Sequence, residues 1–285
     1  MQIIVIPLCT YTPIPLQPTP MGEAERRAEM PTGANSVLDR RTVENGNANL
    51  LKFVKTGQSV LDVGCGSGAI TKGIADLVGN DGFVKGIDSS EHLIDLARHN
   101  FSDIKNLEFE LADINSYTTT NRYDVVTSAR VLQWLSNPED VAIKMKDLLR
   151  EGGCLTILDY NHEKIEFKPD VPESMKSFYA AFLQWRKDSG MDNQIADHLK
   201  SIFKNIGLKN IEVDDHSEIS IPGSDSFFDE INIWRKVAEA RGPQLVKDNY
   251  LKEEERLLAI SDYQVWMEEK ATYMKLYLKA VTGYK

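Results

Sequence analysis

Glycines and acids at regular spacing carry the clearest chemical signal in the chain. In residues 59–69, "SVLDVGCGSGA", three glycines stand at alternate positions, Gly64, Gly66 and Gly68, and Asp62 comes just before them. Glycines there permit a tight turn and let backbone approach a bound molecule closely. The N–H groups that open the following helix can then donate to that molecule. The carboxylate of Asp62 attracts a cation and repels a pyrophosphate. Asp88 lies 20 residues beyond Gly68, where an α/β nucleoside-binding unit places the acid that accepts from ribose hydroxyls. A surface-loop acid is the plainer reading of Asp88. Groups able to take a proton come later: Asp159, Tyr160 and His162, with His198 further on. Histidine titrates near neutrality wherever it sits, so an ordinary loop residue is the rival reading of His162.

The elements that must position these residues alternate in type. Val60, Leu61 and Val63 form a short buried strand before the glycines, and Ile70, Ile74 and Leu77 share one face of the helix after them. A second strand, "FVKGID", ends in Asp88, and Ser89 and Ser90 offer caps to a helix carrying Leu93, Leu96 and Ala97. "LEFELADI" alternates as a third strand and ends at Asp113 and Ile114. "YDVVTSA" is a fourth, buried strand. Asn137 and Pro138 then start a helix with Val141, Met145, Leu148 and Leu149 on one stripe, and Gly152 and Gly153 stop it before a fifth strand, "CLTILDY". Strand and helix so alternate through residues 59–160, the mark of a parallel sheet covered on both faces. Asp62, Asp88, Asp113, Arg130 and Tyr160 all fall at or just past the carboxyl ends of strands, where such sheets bind ligands.

The glycine spacing fits a dinucleotide fingerprint if Ala69 replaces the last glycine, so a nicotinamide nucleotide is a rival ligand. A turn that binds nothing is the other. Asp62 decides against the first, and the acid-plus-glycine stretch closely resembles motif I of the class I S-adenosylmethionine-dependent methyltransferases. That resemblance implies S-adenosylmethionine as cofactor, with S-adenosylhomocysteine as product, held by Asp62, Gly64, Cys65, Gly66, Gly68, Asp88 and Ser89. It further implies that Asp113 and its backbone hold the adenine amino group and that Ile114 packs on the ring. "RVLQWL" is similar to the family segment that lines the cofactor and substrate pocket, which makes Ala129, Arg130, Gln133 and Trp134 candidates. Core filler is the alternative for Trp134. The implied fold is a doubly wound, mostly parallel seven-stranded sheet of Rossmann-like type. Its seventh strand lies antiparallel between the fifth and sixth, and insertions form a helical cap. Glu151 stands where the family usually has a proline, a departure in a turn. "SARV" stands where the amide- and adenine-methylating branch has a proline-rich turn, which argues against that branch.

Residues 1–30 read as a flexible or lid-like arm, with Met21 or Met30 as alternative starts; residues 31–164 are the cofactor-binding core. Residues 36–55 read as a helix in which Arg40 and Arg41 face either solvent or the site. Residues 165–209 form a helical insertion with an aromatic stripe (Phe178, Tyr179, Phe182, Trp185). Residues 210–220 and 272–281 are the last two strands, separated by a helical insert over residues 222–270.

A net charge of -10 disfavours broad contact with nucleic acid or an anionic membrane. Cys9, Cys65 and Cys154 are far apart and odd in number, so neither a disulfide framework nor a zinc site is expected, and a cytoplasmic location is. The apolar stretch at the start is too short to span a bilayer and lacks the flanks of a secretory signal. The expected activity is methyl transfer to an oxygen or nitrogen of a small-molecule acceptor, without metal, with His162, Tyr160 and His198 as catalytic candidates. A homodimer is allowed. The alternatives are carbon methylation in quinone-type biosynthesis and a module that binds the cofactor without catalysis.

Overall fold

Val60, Leu61 and Val63 are all buried, although successive side chains of a strand point to opposite faces. Both faces are therefore covered, and β1 (Ser59–Val63) runs through the interior of the sheet. The computed structural model describes residues 22–28 and 41–285. Its other strands are β2 (Phe83–Asp88), β3 (Leu107–Leu111), β4 (Tyr123–Ala129), β5 (Leu149–Lys168), β6 (Lys209–Asp215), β7 (Glu218–Ser220) and β8 (Tyr273–Tyr284). They lie in the order β3-β2-β1-β4-β5-β8-β6. β1 to β5 pair in parallel. β8 runs antiparallel between β5 and β6, with β7 on its outer half. The mostly parallel, doubly wound sheet and the place of the last strand match the sequence-based expectation.

Alternate residues of the strands feed different cores. Val60, Val84 and Val125 meet α2 (Val43–Gly46), α3 (Leu50–Phe53) and α4 (Ala69–Val78) through Val43, Leu50, Ile74 and Val78. Leu61, Val126 and Leu155 meet Val141 and Met145 of α6 (Pro138–Asp147) and Leu199 and Phe203 of α8 (Ile195–Asn205). Between β2 and β3 lies α5 (Glu91–Asn100), capped by Ser90, whose hydroxyl accepts from Leu93 N.

A third core stands past the strand ends. β5 is 20 residues long and outruns its parallel neighbours. On its outer part and that of β8 pack α7 (Glu173–Asp188), α9 (Phe227–Ile231), α10 (Ile233–Ala240), α11 (Gly242–Lys247) and α12 (Glu253–Glu269). Phe178, Phe182, Trp185, Trp234 and Tyr263 fill it against Met274, Leu276 and Leu278. Each such buried aromatic contributes about 1.5–3 kcal/mol. Pairing of β5 with β8 stops at Asn161 opposite Tyr277 and resumes at Glu166 opposite Lys275. The resulting bulge takes His162 out of the regular alternation, a common device for re-aiming a side chain.

Among the described residues of the helix expected over residues 36–55, two short helices stand in its place. Thr42 caps α2 through a reciprocal capping box with Asn45. Gly46 and Asn47 then end it, and Asn49 Nδ2 reaches into the sheet to donate to Thr156 Oγ1 at 2.6 Å. Glycine and asparagine are weak helix formers, and this buried bond favours the break. The sixth strand is also interrupted, because Asp215 Oδ1 accepts from both Ser217 N and Ser217 Oγ, forming a local turn. The helical insert consists of four helices.

α1 (Glu23–Ala28) docks on the cap. Arg241 donates to the carbonyls of Arg27 and Ala28 at 2.8 and 3.1 Å, and the Arg27 guanidinium lies 5.0 Å over the Trp185 ring. The remainder of the expected arm, with Met21 and Met30, lies outside the described residues, as do Val37, Leu38 and Arg40. Among the described residues no helix is long and apolar enough to cross a membrane.

Candidate functional site

Gly64 and Gly68 adopt φ of +74° and +82°, a left-handed conformation that side chains disfavour. A Cβ on Gly64 would lie 2.2 Å from Val131 Cγ2, and one on Gly68 would lie 2.5 Å from the Phe109 ring. The loop is thus both turned and approached in a way that requires glycine. Gly64 N and Cys65 N donate to Ile87 O, which fastens the loop to the end of β2. The Asp88 carboxylate completes the fastening: Oδ2 accepts from Gly66 N and Oδ1 from Ser90 N, both at 2.9 Å. Burial pushes this carboxyl up, and the backbone N–H groups of Ser90, Gly66 and Ser89 pull it back. A carboxylate has about four lone-pair sites, so Asp88 retains capacity for further donors.

Asp62 is 4% exposed and accepts from Thr71 Oγ1 at 2.7 Å. Burial pushes it up to about 6, Thr71 opposes the rise, and the neighbouring charge of Asp88 adds to it. Asp62, Gly64, Cys65, Gly66, Ala129 and Arg41 border one cleft of about 50 Å³. Arg41 thereby faces the site and not open solvent. Its guanidinium is held below the usual range by burial and by repulsion from Arg130. A larger depression, about 460 Å³, lies near Asn80, Phe83 and Lys105 at the opposite end of β2. Parallel sheets do not place their ligands there.

At the next strand end Asp113 Oδ1 accepts from Asn115 N and Nδ2 at 2.9 and 3.1 Å, and Ile114 is buried beside it. Ser89 is exposed at the rim.

Arg130 is buried with φ +63°, a backbone cost of about 1–2 kcal/mol for a residue with a side chain. Each of its three nitrogens makes a hydrogen bond: Nη1 on Gly46 O at 2.6 Å, Nε on Tyr160 Oη at 3.0 Å, Nη2 on Glu218 Oε1 at 2.5 Å. Burial works against its charge, yet Tyr160 and Glu218 hold it above the usual range. Arg130 therefore ties β4, β5, β7 and α2 together, where the sequence suggested a cofactor contact. Tyr160 is raised by burial, and its hydroxyl also lies 3.4 Å from Glu218 Oε2. Its proton is committed to this cluster, which makes it a poor acceptor of another.

Gln133 joins this cluster to His162. Its Nε2 donates to Arg130 O at 3.0 Å and its Oε1 faces His162 Nε2 at 2.5 Å. His162 is 7% exposed, and its Nδ1 has no hydrogen-bond partner among the described residues. Burial, and then the Arg186 charge, hold the imidazole well below its ordinary value, so it is neutral. Asp159 accepts from Gln133 N and Tyr160 N, and burial pushes it up to about 7. Buried Arg186 is lowered to about 10. Trp134 is clasped between the Arg186 and Arg241 guanidinium groups at 4.6 and 4.7 Å, so it holds the cap to the core. His198 is not brought to this site. It is exposed on α8, paired with Asp192 Oδ2 at 2.6 Å, because α8 turns its apolar face to the sheet.

Thr71, Glu218 and Arg186 were not singled out from the sequence. Glu218 stands 58 residues from Tyr160, and no local pattern marks it. Only the i, i+9 relation of Thr71 to Asp62, within the first turn of α4, was open to local reading.

Sheet order, glycine cradle and paired acids together define a nucleoside-binding α/β domain of the doubly wound class. Residues 54–240 match the methyltransferase domain family, and the chain belongs to it. The resemblance to class I S-adenosylmethionine-dependent methyltransferases is thereby borne out. The demethylmenaquinone methyltransferase of Staphylococcus saprophyticus is 27% identical over 175 residues, 56% of this chain and 74% of that protein. The malonyl-[acyl-carrier protein] O-methyltransferase of Acetivibrio thermocellus is 30% identical over 129 residues, 45% of this chain and 42% of that protein. The chain spans less than half the length of this and several other curated relatives. Among solved structures, Haemonchus contortus phosphoethanolamine N-methyltransferase 2, in complex with phosphomonomethylethanolamine and S-adenosylhomocysteine, superposes with a TM-score of 0.53. That likeness covers 90% of this chain and 53% of the other at 19% identity, and it concerns the fold.

Proposed function

We propose that the chain transfers a methyl group from S-adenosylmethionine to a hydroxyl oxygen of a small-molecule acceptor, releasing S-adenosylhomocysteine. The observation that carries this reading is the pairing of two sites: the glycine cradle, and a buried neutral imidazole whose Nδ1 has no hydrogen-bond partner among the described residues. The cradle suits the cofactor because Gly64 and Gly68 hold a tight turn that a Cβ would disrupt by running into Val131 and Phe109, and Asp88 keeps lone pairs for ribose hydroxyls. Asp62 beside it suits a cationic amino-acid end, and Asp113 and Ile114 suit adenine. When bound, the cofactor supplies an electrophilic methyl group on sulfur. The chain's own residues position the acceptor and exclude water, worth up to about 7–11 kcal/mol in favourable geometry. His162 takes the acceptor proton. A base helps a hydroxyl or a carbon acid and is dispensable for a neutral amine, which favours oxygen over nitrogen. The helices over residues 165–209 and 222–270 act as the cap that encloses the acceptor.

The same base serves carbon methylation of a quinone-type ring, the second reading, which the demethylmenaquinone relative supports. Calorimetric titration with S-adenosylmethionine, S-adenosylhomocysteine and NAD tests the cofactor. Binding of NAD alone would overturn the reading. A screen of phenols, amines and quinols for S-adenosylhomocysteine release, followed by carbon NMR of the product, separates oxygen, nitrogen and carbon transfer. Binding without turnover on any acceptor would leave a non-catalytic module.

Asp88→Ala is expected to weaken S-adenosylhomocysteine binding by about 10–100-fold, since hydrogen bonds to a charged group are worth about 1.5–3 kcal/mol each. Unaltered affinity in calorimetry would remove the ribose assignment. A pH effect follows from Asp62, pushed up to about 6. A cationic ligand stabilises the ionised carboxylate, so binding near pH 6 releases a proton. Affinity for S-adenosylmethionine should therefore rise with pH up to about 6 and level off above, falling by at most about tenfold per unit below. Titration in buffers of different ionisation enthalpy reads the released proton, and Asp62→Asn should abolish it.

A further inference from the structure

The carbonyl oxygen of Arg130 can only accept a hydrogen bond, so the end of the Gln133 amide that faces it is the NH2. The other end, Oε1, therefore faces His162 Nε2. An amide oxygen cannot donate, so His162 Nε2 carries the hydrogen, and in a neutral imidazole Nδ1 keeps the lone pair. The opposite tautomer would set two lone pairs against each other at hydrogen-bond distance.

The surroundings hold this arrangement in place. Gln133 is 3% exposed, so water does not compete for its amide. Its backbone is pinned at both ends, N–H on Asp159 Oδ2 at 3.1 Å and C=O under Arg186 Nη2 at 2.7 Å. The left-handed Arg130 backbone, with N–H on Leu158 O at 2.7 Å, directs the carbonyl that orients the amide.

We infer that Gln133 is a positioning residue that fixes the tautomer of His162, so that Nδ1 rather than Nε2 takes the acceptor proton. The inference rests on the reading of His162 as the base. In the step itself the acceptor O–H bond breaks and its bonding pair stays on the acceptor oxygen. The proton joins the Nδ1 lone pair while Nε2–H remains on Gln133, and the imidazolium later loses the proton to water. The groups facing the imidazole are Tyr160 on its own strand, Phe182 and Arg186 from α7, and Trp234 from α10; the Tyr179 hydroxyl donates to its carbonyl. Arg186 is the charge among them, and it disfavours the imidazolium, so the proton is passed on readily. Asp159 and Arg130 reach the ring only through Gln133.

Imidazole nitrogen NMR on the full chain with S-adenosylhomocysteine added tests this without any acceptor. The wild-type protein should show His162 with Nε2–H and a bare Nδ1. Gln133→Leu removes the acceptor of Nε2–H, and a substantial Nδ1–H population should appear. Gln133→Glu should restore the Nε2–H tautomer and raise the pH of imidazole ionisation by about 1–3 units, as an adjacent carboxylate does. Both variants should keep cooperative thermal unfolding well above the temperature of the spectra, so that the tautomer is read in folded protein. An Nδ1–H tautomer in the wild type, or unchanged shifts in Gln133→Leu, would overturn the inference. Failure of the base reading would instead appear as full methyl transfer by a His162 variant, a separate observation.

Discussion

Gly64→Ala should lose measurable S-adenosylhomocysteine binding and about 2–5 kcal/mol of stability. The left-handed backbone accounts for about 1–2 kcal/mol of that, and forcing a methyl group against a stiff β-branched neighbour for about 1–3 kcal/mol. The new Cβ would meet Val131 Cγ2 at 2.2 Å, and Val131 directly follows Arg130. Relief of the clash must therefore shift the turn that carries Arg130 and Gln133, or open the loop. Either distorts the cradle. Gly57→Ala is the matched control, since Gly57 has φ +82° but nothing within 4 Å of a Cβ. It should cost about 1–2 kcal/mol from backbone strain alone and leave binding intact. Denaturant midpoints and calorimetry on the two variants measure both effects, and equal behaviour would refute the steric account.

His162→Gln should lower turnover by about 10²–10⁴-fold, the usual worth of a positioned base, without changing cofactor affinity. The wild-type pH profile carries an independent signature. An exposed histidine base would lose activity below about 6.5 as it protonates. His162 is held well below that value by burial and by Arg186, so its protonation limb should lie at distinctly more acid pH. Turnover at saturating cofactor should therefore be nearly flat between pH 6 and 7.5, while the apparent cofactor affinity begins to fall near pH 6 through Asp62. A turnover limb near 6.5 would point to another, more exposed base.

Asp62, Gly64, Gly66, Gly68 and Asp88 were legible in the sequence because their partners are close in the chain. Asp88 bonds Gly66 and Ser90, and Asp62 bonds Thr71, contacts made within one strand–turn–helix unit and its successor. The sheet was legible for a similar reason, since each parallel crossover is written locally as strand, turn and helix. The clasp around Arg130 was not. Gly46, Tyr160 and Glu218 come from three distant elements and meet only because β7 lies along β8. The sequence therefore offered Arg130 as a cofactor contact and gave no sign of the three hydrogen bonds by which it holds the site's walls. His198 misled for the converse reason. A histidine on a helix carries no label for which face is buried until the apolar stripe Ile195, Leu199, Ile202 is set against the sheet.

The position of β8 has a consequence for the birth of the protein. It is translated after every other described strand, yet it lies between β5 and β6 and carries one wall of the cap core. Until it emerges from the ribosome, β5 presents a long unpaired edge and β6 has no neighbour in the sheet. Open edges beside exposed aromatic helices are what holding chaperones recognise and what drives nascent chains to associate. The parallel half of the sheet can take shape during synthesis, but the fold as a whole closes in one late step. A chain that stopped at Lys270 would leave the buried side chains of the cap core without the floor that Met274, Leu276, Leu278 and Ala280 provide.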